Sequence, residues 1–179
     1  MYCFLDLETT GIDQFSDQPI ELGALLVSKD LIVKKSFHSY MRLDESISFS
    51  TSSRLAHGLK ETFLKDQPMQ YEVLEQFFNT FGHEFRFVSW NMSFDIGFFK
   101  KLCYENDFLD QFNQINYRHL DLQSIFFFYC QQKRLKSLSS LDDACKHFGI
   151  KRSRYHNALE DANIAYKVFK NITDEIGNN

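Results

Sequence analysis

The chain has 179 residues, 44% apolar and 25% charged, with 20 Phe and only 2 Pro. That suits one domain around a sizeable aromatic core and excludes collagen-like, disordered and coiled-coil classes. The formal net charge of −4 argues against a broad basic face for nucleic acid, but not against gripping phosphate through divalent ions and a few local cations. The longest apolar run, residues 125–130, is too short to cross a bilayer. A strand pattern starting at Tyr2 leaves no room for a signal peptide, so a cytoplasmic protein without a membrane partner is expected. Cys3, Cys103, Cys130 and Cys145 are widely spaced, without a C-x-x-C pair, and read as buried thiols in a reducing compartment.

In chain order, strands are expected over residues 2–8, 21–28 and 31–40, the last two joined by a hairpin-length link at Ser28-Lys29-Asp30. Leu74, Phe77, Phe78 and Phe81 fall at i, i+3, i+4, i+7 and predict a helix that Gly82 ends. A short apolar strand covers 85–90, and Ser93 is placed to cap a helix running to residue 106. A strand within 115–121 leads into an aromatic helix. Ser140-Leu141-Asp142-Asp143 resembles a capping box, opening a helix that Gly149 closes. A final helix covers 157–176, with Gly177-Asn178-Asn179 as a stop and a frayed end. Three strands followed by strands alternating with helices predict an α/β fold: one domain, 1–179, with a mixed sheet flanked by helices.

Acidic residues stand where core is expected. Asp6 and Glu8 share a strand face with Phe4, and Thr9-Thr10-Gly11 follows as a turn able to expose backbone N–H groups. Asp95, Phe98, Phe99 and Leu102 form one helical stripe, as do Asp161, Ala165, Val168 and Ile172. Burying an isolated carboxylate costs several kcal/mol, and no Lys or Arg occupies the Asp161 stripe. Three elements thus aim acids inward, which one shared divalent metal site explains; hard oxygen ligands favour Mg²⁺ or Mn²⁺ over zinc. His156, five residues before Asp161, fits a loop or first turn leaning over that site, as a candidate general base for a water nucleophile.

FLDLETTG at 4–11, SWNMSFDIGFF at 89–99 and YHNALEDA at 155–162 together resemble the DEDDh, or DnaQ-like, family of 3′–5′ exonucleases. That family includes the proofreading epsilon subunit of bacterial DNA polymerase III, ribonuclease T and oligoribonuclease. SLDDACKHFGI before the last motif is similar to the epsilon-type approach to it. The resemblance implies a ribonuclease H-like fold with a five-stranded mixed sheet. It also implies Asp6, Glu8, Asp95 and Asp161 as carboxylates for two Mg²⁺, replaceable by Mn²⁺, with His156 as base. Asp6 would bridge both ions, Glu8 and Asp161 would complete the nucleophile-side ion, and Asp95 would act on the other ion or through water. Two such ions, about 3.5–4 Å apart, clamp the attacking and leaving oxygens of an in-line displacement; water attacks the last phosphodiester and a nucleoside 5′-monophosphate leaves. The four carboxylates carry the whole formal excess of −4, which two divalent ions would balance.

By the same resemblance Thr9, Thr10 and Ile12 would cradle and wedge the 3′-terminal nucleotide, and His57 would lie near it or be a surface histidine. Asn91 and Phe94 could bond and stack in the cleft, although Phe94 equally suits the core. Asp121 reads as a supporting acid or a helix N-cap. Lys151, Arg152 and Arg154 would hold the phosphate backbone or form a solvated basic loop, and Lys133-Arg134-Leu135-Lys136 reads as a solvated face. The expected substrate is a single-stranded 3′ end, DNA favoured over RNA, with a DNA polymerase as a candidate partner. An exoribonuclease of the ribonuclease T or oligoribonuclease type is the alternative. A catalytically silent interaction module predicts a lost carboxylate or histidine, and none is missing.

Overall fold

Side chains alternate along β1 (Tyr2–Thr9). Cys3, Leu5 and Leu7 enter one apolar cluster while Phe4 enters another on the opposite face, and a strand buried on both faces belongs inside a sheet. The computed structural model describes residues 1–135, 139–153 and 156–177. In it β1 pairs antiparallel with β2 (Pro19–Val27), which pairs antiparallel with β3 (Val33–Tyr40). On its other side β1 runs parallel to β4 (Arg86–Ser89), and β4 parallel to β5 (Leu120–Asp121). The five strands lie in the order β3-β2-β1-β4-β5, the mixed sheet expected.

The helices are α1 (Thr51–His57), α2 (Glu61–Leu64), α3 (Gln70–Phe81), α4 (Met92–Glu105), α5 (Leu109–Gln114), α6 (Leu122–Gln132), α7 (Leu141–Phe148) and α8 (Ala158–Gly177). Phe77 of α3 and Phe98, Phe99 and Leu102 of α4 close over the face of Leu5 and Leu7. On the other face, Phe126, Ala144, Val168 and Ile172 of α6, α7 and α8 pack against Phe4 and Val88, with Tyr166 and Phe169 edge-on to the Phe4 ring. All four cysteines are buried and unbridged. Among the described residues, no helix is long and apolar enough to cross a membrane.

Gly23 sets how closely α8 approaches. It pairs with Asp6 across the β1–β2 ladder, and a Cβ there would lie 2.1 Å from the Ala158 carbonyl carbon and the Leu159 nitrogen. Only glycine lets the first turn of α8 rest on β2 backbone beside the acidic end of β1.

Several elements differ from expectation. α1, α2 and α5 were not anticipated, and the strand sought in 115–121 shortens to two residues. Ser93 does not cap α4: its hydroxyl donates to Asn91 Oδ1, and Asp121 Oδ2 accepts the Met92 N–H at 2.9 Å instead. Asp121 Oδ1 also accepts from Ser124 N at 2.7 Å, so this one carboxylate caps both α4 and α6. The capping box at Ser140 and Asp143 and the left-handed Gly149 stop of α7 occur as expected. Arg154, Tyr155, Lys136, Asn178 and Asn179 lie outside the described residues.

Candidate functional site

Alternation puts Asp6 and Glu8 on the β1 face that α8 covers, and α8 brings Asp161 to the same face from its first turn. Asp95 enters from the first turn of α4. Its Oδ1 accepts the Leu7 N–H at 3.0 Å and its Oδ2 accepts Ser89 Oγ at 2.6 Å, which pins it between β1 and β4. Asp95 and Asp161 are only 4% and 6% exposed.

Crowding shows in the electrostatics. Burial first, then the charges of Asp95, Glu8, Asp161 and Glu21, hold the Asp6 carboxyl well above the ordinary range. Glu8 is pushed up to about 8 by burial and by Glu21, Asp161 and Asp95, with Arg152 opposing. Burial lifts Asp95 to about 7 against its hydrogen bonds from Ser89 and Leu7. Asp161 is raised by burial, partly offset by Arg152 and then His156. Acids that oppose one another's ionisation are stabilised by an added positive charge. Glu8, His156 and Asp161 each offer a ligand atom, all within 4.8 Å of one another, a donor set that fits a hard divalent cation.

His156 precedes α8, exposed, at a φ of +54°. A non-glycine residue keeps that conformation only where its neighbours hold it. They do so through Glu21, a buried acid on β2: its Oε1 accepts Asn157 Nδ2 at 2.6 Å, Ala158 N at 3.3 Å and His38 Nε2 at 2.7 Å. Asn157 Oδ1 in turn accepts the Glu160 N–H, starting the helix. Glu21 is a site residue that the sequence reading missed. The criterion that exposed Asp6 applies to it, since every residue of Pro19–Val27 is buried.

The cation that the Asp161 stripe lacks comes from outside the helix. Arg152 Nη2 donates to both oxygens of Asp161, at 2.6 and 2.8 Å, and Nη1 donates to Asp142 Oδ1 at 2.5 Å. The stripe itself carries no Lys or Arg, as expected, but the loop before α8 supplies one and turns Arg152 inward rather than toward a phosphate chain or solvent. No sequence signal marks the pairing, because it depends on the path of the loop. Lys151 lines a cleft with Ser153, Asn157 and Lys167, and Lys133 and Arg134 are exposed, as a solvated face requires, with Lys133 pairing with Glu175 at 3.3 Å on that surface.

The remaining expected residues divide. Thr10 is fully buried; its hydroxyl donates to Asp17 and accepts from Gln18 N, and its backbone bonds Gln18 and Ser50. Thr10 therefore braces the loop from inside, with its hydroxyl and backbone already engaged. Thr9 is 6% exposed, its hydroxyl donating to the Gly11 carbonyl and its own carbonyl accepting Ser53 Oγ. Ile12, 84% exposed, is open to a ligand. His57 Nδ1 accepts the Leu59 N–H, so Nε2 carries the proton toward Ser53 Oγ; burial and the neighbouring His156 lower its pKa. Asn91 is exposed at the N-terminus of α4. Phe94, half-buried, packs on Phe98 with ring centres 4.9 Å apart, which places it at the edge of the core.

The family described as Exonuclease (RNase_T) matches residues 3–169. A DNA polymerase III PolC-type protein of Caldanaerobacter subterraneus is 26% identical over 181 residues, covering 98% of this chain and 12% of the relative. A DNA polymerase III subunit epsilon of Rickettsia typhi is 28% identical over 174 residues, covering 94% and 72%. The fold is similar to that of E. coli exonuclease I, solved in complex with single-stranded DNA. The TM-score is 0.82 at 19% identity, across 97% of this chain and 40% of that one. Cell-death related nuclease 4 gives 0.78 at 16% identity, across 97% and 64%. The mixed sheet with flanking helices is thus ribonuclease H-like. The chain spans less than half of the PolC-type and exonuclease I chains.

Proposed function

Because the chain belongs to the exonuclease family, we propose that it removes nucleoside 5′-monophosphates one at a time from single-stranded 3′ ends, DNA in preference to RNA. The observation that carries the reading is the meeting of Asp6, Glu8, Asp95 and Asp161 from β1, α4 and α8, with His156 ligand atoms within 4.8 Å of those of Glu8 and Asp161. Two Mg²⁺ or Mn²⁺ ions held by the four carboxylates would supply positive charge against the scissile phosphate and its attacking and leaving oxygens. His156, exposed and held by the Glu21–Asn157 contact, takes the proton of the attacking water. The P–O3′ bond breaks, the shortened strand keeps a 3′ hydroxyl, and the terminal nucleotide leaves with the phosphate. Asp95 acts from a fixed position, each oxygen retaining a lone pair beyond its hydrogen bond for an ion or a water.

Ile12, His57 and Asn91 would contact the terminal nucleotide, and Thr9 would do so through its backbone. The names of the DNA polymerase III relatives and the single-stranded DNA in the exonuclease I complex support DNA as substrate and a DNA polymerase as partner. A time course on 5′-labelled single-stranded DNA and RNA of one sequence, with Mg²⁺, Mn²⁺ or EDTA and alongside Asp6→Asn, tests the reading. A ladder shortening from the 3′ end, faster on DNA and absent with EDTA and in the variant, is expected. A faster RNA ladder would reassign the substrate, and no cleavage by a folded, metal-loaded protein would remove the activity.

A further inference from the structure

Asp161 already has a cation. A single amino group of Arg152, Nη2, faces both of its oxygens, the two side chains are each 8% exposed, and the other amino group, Nη1, rests on Asp142, whose side chain is 45% exposed. A hydrogen bond between two ionised partners is roughly twice as strong as a neutral one. A hard divalent cation needs one of those same oxygens at about 2.0–2.6 Å. A guanidinium held at hydrogen-bonding distance would then face the ion across one carboxylate, in surroundings too dry to screen the repulsion.

We propose that Arg152 is a resident counter-ion that competes with the divalent cation for Asp161 and falls back onto Asp142 when the cation binds. This rests on reading Asp161 as a metal ligand. Asp142 belongs to a different helix, is not among the acids acting on Asp6, and holds Nη1, so the guanidinium can pivot on that contact as Nη2 leaves Asp161. In the metal-free protein Arg152 offsets the crowded charge at Glu8 and Asp161; in the loaded protein the ion does so. Arg152 is thereby a positioning residue: it sets the orientation of Asp161 and the affinity of the site.

Two variants separate competition from a salt bridge that merely shapes the loop. Arg152→Gln removes the competing charge, and Asp142→Asn removes the fallback. The readouts are Mn²⁺ binding to the full chain, followed by the electron paramagnetic resonance of free Mn²⁺, and thermal unfolding in EDTA. Arg152→Gln should bind Mn²⁺ about tenfold more tightly, the worth of one charge-assisted contact, while unfolding at a lower temperature in EDTA. Asp142→Asn should bind Mn²⁺ severalfold more weakly, because Arg152 then loses the partner that draws it away from Asp161. These opposite signs are the signature of competition. If Arg152→Gln does not fold, Arg152→Lys, which keeps a charge but cannot span both carboxylates, should bind Mn²⁺ severalfold more tightly. Wild-type binding with unchanged or weakened affinity in the arginine variants overturns the competition and leaves the metal site standing. A wild-type chain that binds no Mn²⁺ overturns the metal reading and this inference together.

Discussion

Asp6 and Asp161 are neighbouring acids, both with raised pKa values, that differ in one contact, the Arg152 amino group on Asp161. Every charged neighbour acting on Asp6 pushes its pKa upward, so Asp6→Asn relieves repulsion. In EDTA it should gain about 1 kcal/mol, which is ~2–4 °C for a chain of this size. Asp161→Asn instead strips Arg152 of a bidentate partner and should lower the EDTA midpoint by about 1–3 kcal/mol. Both should abolish hydrolysis, and unfolding curves that move together would refute the distinction. Glu8 adds a pH dependence. Its folded pKa of about 8 stands above the ordinary glutamate value of 4.5, so the folded chain holds its proton longer than the unfolded one does. The stability linked to Glu8 is fully present below pH 4.5 and is lost as pH rises through about 8. Metal-free protein should therefore weaken across that window, and Glu8→Gln should flatten the slope; an unaltered slope would remove Glu8 as its source.

At the scale of elements, the site stands where two backbones nearly touch. Gly23→Ala would drive a methyl group into the Ala158–Leu159 peptide, shifting the start of α8 and with it His156 and Asp161. Activity should fall at least about tenfold, with a stability loss of about 1–3 kcal/mol from overpacking. Retained activity with wild-type unfolding would show that the helix start is not so constrained. Glu21→Ala, which releases Asn157, Ala158 and His38 at once, should cost about 3 kcal/mol and lower kcat more than it changes KM. These elements also mark the limits of legibility. β1, α3, α4, α7 and α8 follow from apolar periods and caps, and Asp6, Asp95 and Asp161 stand out by breaking those periods. α1 and α5 escape because they have 7 and 6 residues and bury only Ser53 and nothing, respectively, so they have no apolar stripe to detect. Glu21 escaped because the strand was expected to begin there, when it begins at Pro19 and encloses the acid. Arg152 joins Asp142 to Asp161 through a loop whose path no local pattern encodes.

For the whole molecule, a formal charge of −4 sets how it meets a polyanion. With its acids gathered at one end of β1, the metal-free chain repels a phosphate backbone at that end. Affinity for a single strand should therefore come from bound divalent ions and a few local contacts rather than from many neutralised phosphates. Fluorescence anisotropy of a single-stranded oligonucleotide with the His156→Ala variant, in EDTA and in Ca²⁺, measures this. Binding should be at least about tenfold weaker in EDTA. In Ca²⁺ the slope of log affinity against log salt should correspond to about two or three phosphates, near −2 for a single strand. A slope steeper than about −5 with equal affinity in EDTA would instead mean a basic track along the surface. The carboxylate cluster would then serve chemistry alone, and the clefts that Lys151 and Lys167 or Lys29, Arg86 and Arg118 line would be the places to substitute next.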